Sequence, residues 1–268
     1  KGLAALVPRF SLETVQAVGD SLGAALSRVP GERRQRVVRH LELAFPPPRY
    51  SQSERRRILQ GSYQAMMKLF LEALWGISWD SERDDRRVQV TTPEAWERTL
   101  RLARERGQGL VIFTAHIGAV ETIGRWFARN MGMPVMAVAA KPKTEKLTKL
   151  TQRQRESLGY KVVWRGEAGM ATMRHLRAGG VLVMLVDHNL KGPGVAVPFF
   201  GKPAHTLLAP ARLALQSGAV ANTIFCLRAG RGRLALRCDD PMIPPEYPAD
   251  REERFLREAA LTLEYTRR

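Results

Sequence analysis

Leu110-Val111-Ile112-Phe113-Thr114-Ala115-His116-Ile117-Gly118-Ala119-Val120-Glu121 is the stretch on which the reading of this chain turns. Its first four residues are apolar without alternation, the pattern of a strand buried on both faces of a mainly parallel sheet. A turn containing Gly118 follows, and then a helical pattern through Trp126 and Phe127. Strand, turn and helix in that order make a βα unit, and open α/β sheets bind ligands where such strands end. His116 therefore stands where a reactive group is expected.

Further Val-, Ile- and Leu-rich runs at 135–139, 161–164, 181–186, 220–227 and 234–237 alternate with segments carrying Arg, Lys, Glu and Ala, which predicts α/β architecture. The last two flank Arg228-Ala229-Gly230-Arg231-Gly232 and predict an antiparallel hairpin at one edge of the sheet. Upstream, apolar residues recur at helical intervals over 3–29, with Pro8 and Gly19 as interruptions. A second helix is expected over 32–43, stopped by Pro46, Pro47 and Pro48, and a third from Ser51 or Ser53 as N-cap. Tyr63, Met66, Phe70, Leu74 and Ile77 fall on one face of that third helix. The charged 81–87 stretch is no Gly/Ser linker, so one domain over 1–268 is expected. A helical appendage (1–86) would precede an α/β body (87–268) with a mainly parallel central sheet flanked by helices.

Composition narrows the function. A chain of 268 residues with 44% hydrophobics builds a substantial core. Forty-three Lys and Arg against 26 acids leave a net charge of +17, which points to an anionic partner: nucleic acid, membrane surface or phosphorylated substrate. The basic residues are dispersed and no base-reading module is present, so nucleic acid is the weaker choice. Cys226 and Cys238 fit neither a disulfide framework nor a zinc ribbon. No apolar run approaches the roughly 20 residues of a membrane-spanning helix. There is no P-loop, no dinucleotide fingerprint, no G-x-S-x-G elbow and no H-E-x-x-H spacing, so no cofactor or metal is expected and serine acyl-enzyme chemistry is disfavoured.

His116 and Glu121 lie five apart, about 140° round a helix, so they cannot share one helical face. They meet only if His116 sits in the turn and Glu121 inside the helix. Glu121 would then fix the ring tautomer while the other nitrogen removes a proton from a hydroxyl. The spacing serves equally well a helix-capping histidine beside a surface ion pair. Asp187 ends the candidate strand at 181–186 and comes near His116 if the two strands are neighbours, to position a substrate or to brace a loop.

Thr114-Ala115-His116-Ile117-Gly118-Ala119-Val120-Glu121 resembles the H-x4-D/E signature of glycerolipid and lipid A acyltransferases. Asp187-His188-Asn189, with Val197-Pro198-Phe199-Phe200-Gly201-Lys202-Pro203-Ala204, is similar to the D-x-D…VPFFG-x-x-A block of the late lipid A acyltransferases. Arg39-His40-Leu41-Glu42-Leu43-Ala44-Phe45-Pro46, followed by Ser51 and Glu54, resembles that family's R-N-L-x-x-x-F-P…S-x-x-E segment. Order and spacing agree from about Arg33 to Val220. His40 stands where the family has Asn, and His188-Asn189 replaces Gln-Asp or His-Asp, so no role passes to a second acid.

The resemblance implies a glycerolipid acyltransferase-like fold and transfer of a fatty acyl chain from acyl carrier protein or acyl-CoA to a hydroxyl of a lipid A-type glycolipid. His116 would be the base, oriented by Glu121. Arg155, ahead of Gly159, would steady the oxyanion, with Arg153 on the same stretch as its alternative. Asp187, Phe199, Phe200 and Gly201 are the substrate-binding candidates, the last three as a wall for an acyl chain or phosphopantetheine. A phosphoinositide mannoside or a lysophospholipid is the alternative acceptor. Location at an anionic membrane surface is implied, on the cytoplasmic face of a bacterial inner membrane. The chain opens on Lys1, and the family's apolar N-terminal anchor and its Trp- and His-Arg-containing C-terminal stretch are not in the sequence, so a longer protein is expected.

Overall fold

A computed structural model describes residues 6–142, 144, 145, 148, 149, 152 and 159–268, without the side chains of Ile77, Ser81 and Glu82. The molecule is an α/β protein with a mostly parallel sheet flanked by helices and preceded by a helical region. Strands β1 (Val88–Val90), β2 (Leu110–Thr114), β3 (Val135–Ala139), β4 (Lys161–Trp164), β5 (Val181–Leu185), β8 (Val220–Arg228) and β9 (Leu234–Cys238) form one sheet in the order β1-β9-β8-β2-β5-β3-β4. Only the β8–β9 pair is antiparallel. That hairpin is not the edge: β1 pairs parallel outside β9. Three half-exposed residues are too short a run to show a period, which is why β1 escapes a pattern reading.

Unbroken apolar strands divide their side chains between two cores. Leu110, Ile112, Val181, Val183 and Val220 join one cluster with Leu100 and Ala103 of α4 (Pro93–Arg106) and Trp126 and Phe127 of α5 (Gly124–Asn130). Val111, Phe113, Leu182 and Ala221 join the other with Leu176 of α6 (Ala168–Arg177), Ala211 and Ala214 of α7 (Ala209–Ser217) and Tyr265 of α8 (Arg251–Arg267). The strict alternation along each strand is the pleat expressed as burial on both faces.

The helical region comprises α1 (Leu12–Leu26), α2 (Glu32–Ala44) and α3 (Gln52–Trp75). Ser11 caps α1 by accepting from the Thr14 N–H. Ser51 caps α3 in a full capping box with Glu54, so Ser51 rather than Ser53 is the N-cap. Gly19 does not interrupt α1. Gly19 and Gly23, four apart, let α1 press against the backbone of α3 at Lys68 and Gln64, where a Cβ would collide. Leu12, Val15, Leu71 and Trp75 enter the same apolar cluster as the sheet. Glu72, fully buried, accepts two hydrogen bonds from the Arg228 guanidinium (2.8 and 2.6 Å) and one from Gln16 (2.9 Å), joining α3, α1 and β8.

The face carrying Met66 and Phe70 is the exposed side of α3, whose buried residues are Leu59, Leu71, Glu72 and Trp75. Strands β6 (Gly194–Phe199) and β7 (Lys202–Leu207) pair as a separate antiparallel hairpin where the sequence suggests only a punctuated loop. Pro198 opposite Pro203 hides it, since proline donates nothing to a ladder and argues against a strand.

Gly23→Ala forces a methyl group into the Gln64 backbone, and overpacking of this kind costs about 2 kcal/mol. A fall in Tm of roughly 5 °C is expected by thermal unfolding, whereas Gly61→Ala, which meets nothing at its place inside α3, should hold or raise Tm.

Candidate active site

The carboxyl ends of β2, β3, β4 and β5 open on one cavity of about 320 Å³. His116 follows β2, Arg165 follows β4, and Asp187 and His188 follow β5, so each polar group arrives on the loop just beyond a parallel strand. Behind them the cavity is apolar, lined by Phe127, Val135, Ala137, Tyr160, Val183 and Leu185. It runs between α5 and the sheet.

The position of His116 is set twice. First, Gly118 takes φ +68°, which lets the loop press against β8: its missing Cβ would collide with the Cys226 carbonyl oxygen, and the Ala119 N–H donates to that oxygen at 2.8 Å. Second, Asp187 grips His116 with both oxygens. Oδ2 accepts from the His116 backbone N–H at 3.0 Å, and Oδ1 lies 2.9 Å from ring Nδ1. The β2–β5 register, with Thr114 opposite Leu185, brings the two strand ends level. A carboxylate at Nδ1 makes that nitrogen the N–H, so Nε2 is the ring's base.

This differs from the expected orienter. The hydrogen bond that fixes the imidazole comes from Asp187, not from Glu121. Helix α5 begins only at Gly124, so Glu121 lies in the turn with His116 and not one helical turn beyond it. Glu121 lines the same cavity, and its charge still favours the imidazolium. The hydrogen bond from Asp187 raises the His116 pKa above its ordinary value, against burial and with help from both carboxylates. Burial pushes the Asp187 carboxyl up, but the two hydrogen bonds and the charge of His116 outweigh it and hold the group below its usual range.

His188 stacks on His116 with ring centroids 4.4 Å apart and planes 11° from parallel. Donor atoms of His116, Asp187 and His188 lie within 4.8 Å of one another. Stacked rings direct their in-plane lone pairs along nearly parallel planes, so the two histidines are arranged for ring packing rather than for convergence on one ion.

Arg153 and Arg155 lie outside the described residues. Arg165, which the sequence reading passed over, reaches the cavity wall beside His116 and His188. Its signal was available: it is the first residue after a strand, the criterion that marks His116 and Asp187. Phe199, Phe200 and Gly201 are not among the residues lining this cavity; they form the tip of the β6–β7 hairpin.

Asp187→Asn removes the charge that supports the imidazolium, so the His116 pKa falls towards its ordinary value, readable by NMR titration of the ring. The sign in stability follows. The pair's contribution is fully present between the unfolded values of the two groups, about 3.9 and 6.5. It fades as pH rises through the raised His116 value or falls through the lowered Asp187 value. Chemical unfolding of both proteins should therefore differ most in that window.

The family model for bacterial lipid A biosynthesis acyltransferase matches residues 2–243. A phosphatidylinositol mannoside acyltransferase of Mycolicibacterium smegmatis is 31% identical over 134 residues, covering 48% of this chain and 44% of that protein. The phosphatidylinositol mannoside acyltransferase of Mycobacterium tuberculosis (strain CDC 1551 / Oshkosh) is 32% identical over 130 residues, covering 47% of this chain and 41% of that protein. The aligned stretch is thus less than half the length of either relative. With the matched span taking in both the His116 and the Asp187 strand ends, the chain belongs to the bacterial lipid A biosynthesis acyltransferase family.

Proposed function

We propose that this protein is an acyltransferase that moves a fatty acyl chain from a thioester, on acyl carrier protein or coenzyme A, to a hydroxyl of a glycolipid. The observation that carries this reading is the carboxylate-gripped imidazole at the mouth of an apolar cavity. Nε2 of His116 takes the acceptor's hydroxyl proton as the oxygen attacks the thioester carbonyl. The imidazolium, supported by Asp187, then gives that proton to the departing thiolate. The apolar cavity holds the acyl chain. Arg165, on the cavity wall, is a candidate to steady the developing oxyanion, beside Arg155 and Arg153, which the family pattern raises.

Two acceptors have separate support. The family model favours a lipid A-type glycolipid, and the mycobacterial relatives favour a phosphoinositide mannoside. Either acceptor is a lipid, which supports a reaction at a membrane surface, and we assign it to the cytoplasmic face of a bacterial inner membrane. No described helix is long and apolar enough to cross a bilayer. A crest of exposed apolar side chains offers contact: Val18, Leu22, Leu26 and Val29 from α1 and the turn after it, with Met66 and Phe70 of α3. Leu26, Val29 and Met66 border a groove of about 720 Å³ with Arg33 and Arg34. Apolar side chains beside arginines match an anionic lipid surface, where each nearby cation is worth about 1 kcal/mol. The +17 charge suits the same surface and an acidic carrier protein, and no nucleic-acid partner is proposed.

Incubation with mixed acyl thioesters and glycolipid acceptors, followed by mass spectrometry, should yield a singly acylated glycolipid. His116→Ala lowers the rate at least about 100-fold while circular dichroism shows the fold retained; activity within a few-fold of the parent protein removes the base from this mechanism. Ala137 lies on the cavity wall, so Ala137→Phe should shift the product distribution towards shorter acyl chains.

A further inference from the structure

The β6–β7 hairpin turns at Phe200-Gly201, and both residues are left-handed, with φ of 49° and 72°. Two successive positive φ values make the mirror-image turn that suits a two-residue hairpin, whose first central position is ordinarily Asn, Asp or Gly. Phe200 is the one non-glycine with positive φ among the described residues. Its Cβ makes that conformation costly, and strain of this sort marks a side chain retained for what it does.

Phe200 is 54% exposed and Phe199 61% exposed. Their rings meet edge-on at 4.8 Å, Phe200 rests on Phe45 at 5.2 Å, and Phe45 rests on Tyr50 at 5.0 Å. Cations rim this cluster. Lys202 is the register partner of Phe199, and the Arg49 guanidinium carbon lies 5.8 Å from the centre of the Tyr50 ring. No acidic residue occurs between Lys191 and Thr206 or between Leu43 and Ser53. Exposed aromatic rings with Lys202 and Arg49 beside them match the interfacial layer of an anionic bilayer, the nearest acids in sequence being Glu42 and the Ser51-bound Glu54.

We infer that Phe199 and Phe200 form a wedge that enters the interfacial layer of an anionic bilayer, a docking point separate from the apolar crest of α1 and α3. The inference rests on the membrane-surface reading above. Helix α2 links the two points. Arg33, Arg34 and Val37 near its start border the crest's groove, and its C-cap Phe45 touches Phe200. Thirteen residues at 1.5 Å each separate them by roughly 20 Å, with Arg33, Arg36 and Arg39 exposed in between. The other end of the hairpin lies six residues beyond His188, so the chain ties the tip to the β5 strand end through the hairpin.

The test uses the full chain and vesicles of phosphatidylcholine with phosphatidylglycerol. Phe200→Asn relieves the left-handed strain while removing the ring, so Tm should hold or rise while vesicle affinity falls about tenfold. Cys226 and Cys238 are buried, so a thiol-reactive environment-sensitive dye marks the Phe199→Cys variant selectively. Its emission should shift to the blue on vesicles and be quenched by lipids brominated near the headgroup. If Phe200→Asn lowers Tm and leaves vesicle affinity unchanged, or if the dye stays in water on bound vesicles, the tip is a packing device and the inference falls. Failure of the parent protein to bind these vesicles at all overturns the membrane-surface reading itself.

Discussion

One carboxylate sets the geometry of the candidate site. Asp187 holds His116 by backbone and ring together, which fixes where the imidazole sits, which nitrogen carries the proton and how basic the other becomes. The grip exists because β2 and β5 pair in parallel with Thr114 opposite Leu185, so that both chains leave the sheet at the same level. A one-residue slip would turn every side chain of β5 to the opposite face. The double-sided burial of Leu182 and Val183 in different cores makes such a slip prohibitive. Core packing and site geometry are one constraint.

The other face of that constraint is the loop between β2 and α5. Gly118 allows a backbone path that a side chain would block, and Ala119 anchors the loop to β8. His116 is therefore braced from the strands on both sides of β2, from β5 through Asp187 and from β8 through the Cys226 carbonyl. A side chain held on two sides has little freedom left to lose.

The helical region answers to a different requirement. Gly19 and Gly23 bring α1 so close to α3 that the inner faces of both helices are satisfied by backbone contact, and the buried Glu72–Arg228 pair fastens them to the sheet. Among the described residues, apolar side chains on the outer faces are then left exposed. Exposure of Val18, Leu22, Met66 and Phe70 follows from the tight packing beneath, and an apolar surface of this kind is what the membrane contact proposed above draws on.

Local order was legible in the residues themselves: six of the seven strands of the main sheet, the proline stop after α2, the Ser51 cap and the placing of His116 at a strand end. Each depends on periodicity, a turn residue or a cap, all properties of neighbours along the chain. Three features were decided only in three dimensions. Asp187, 71 positions away, rather than Glu121, hydrogen-bonds the imidazole, because strand pairing brings distant residues together and no count along the chain reports it. The β6–β7 hairpin pairs across prolines that argue against a strand. Whether the Met66 and Phe70 face of α3 met the core or the solvent depended on which other face of the helix α1 and the sheet covered. Amphipathic spacing reports that a helix has two faces; only tertiary packing determines which of them is covered.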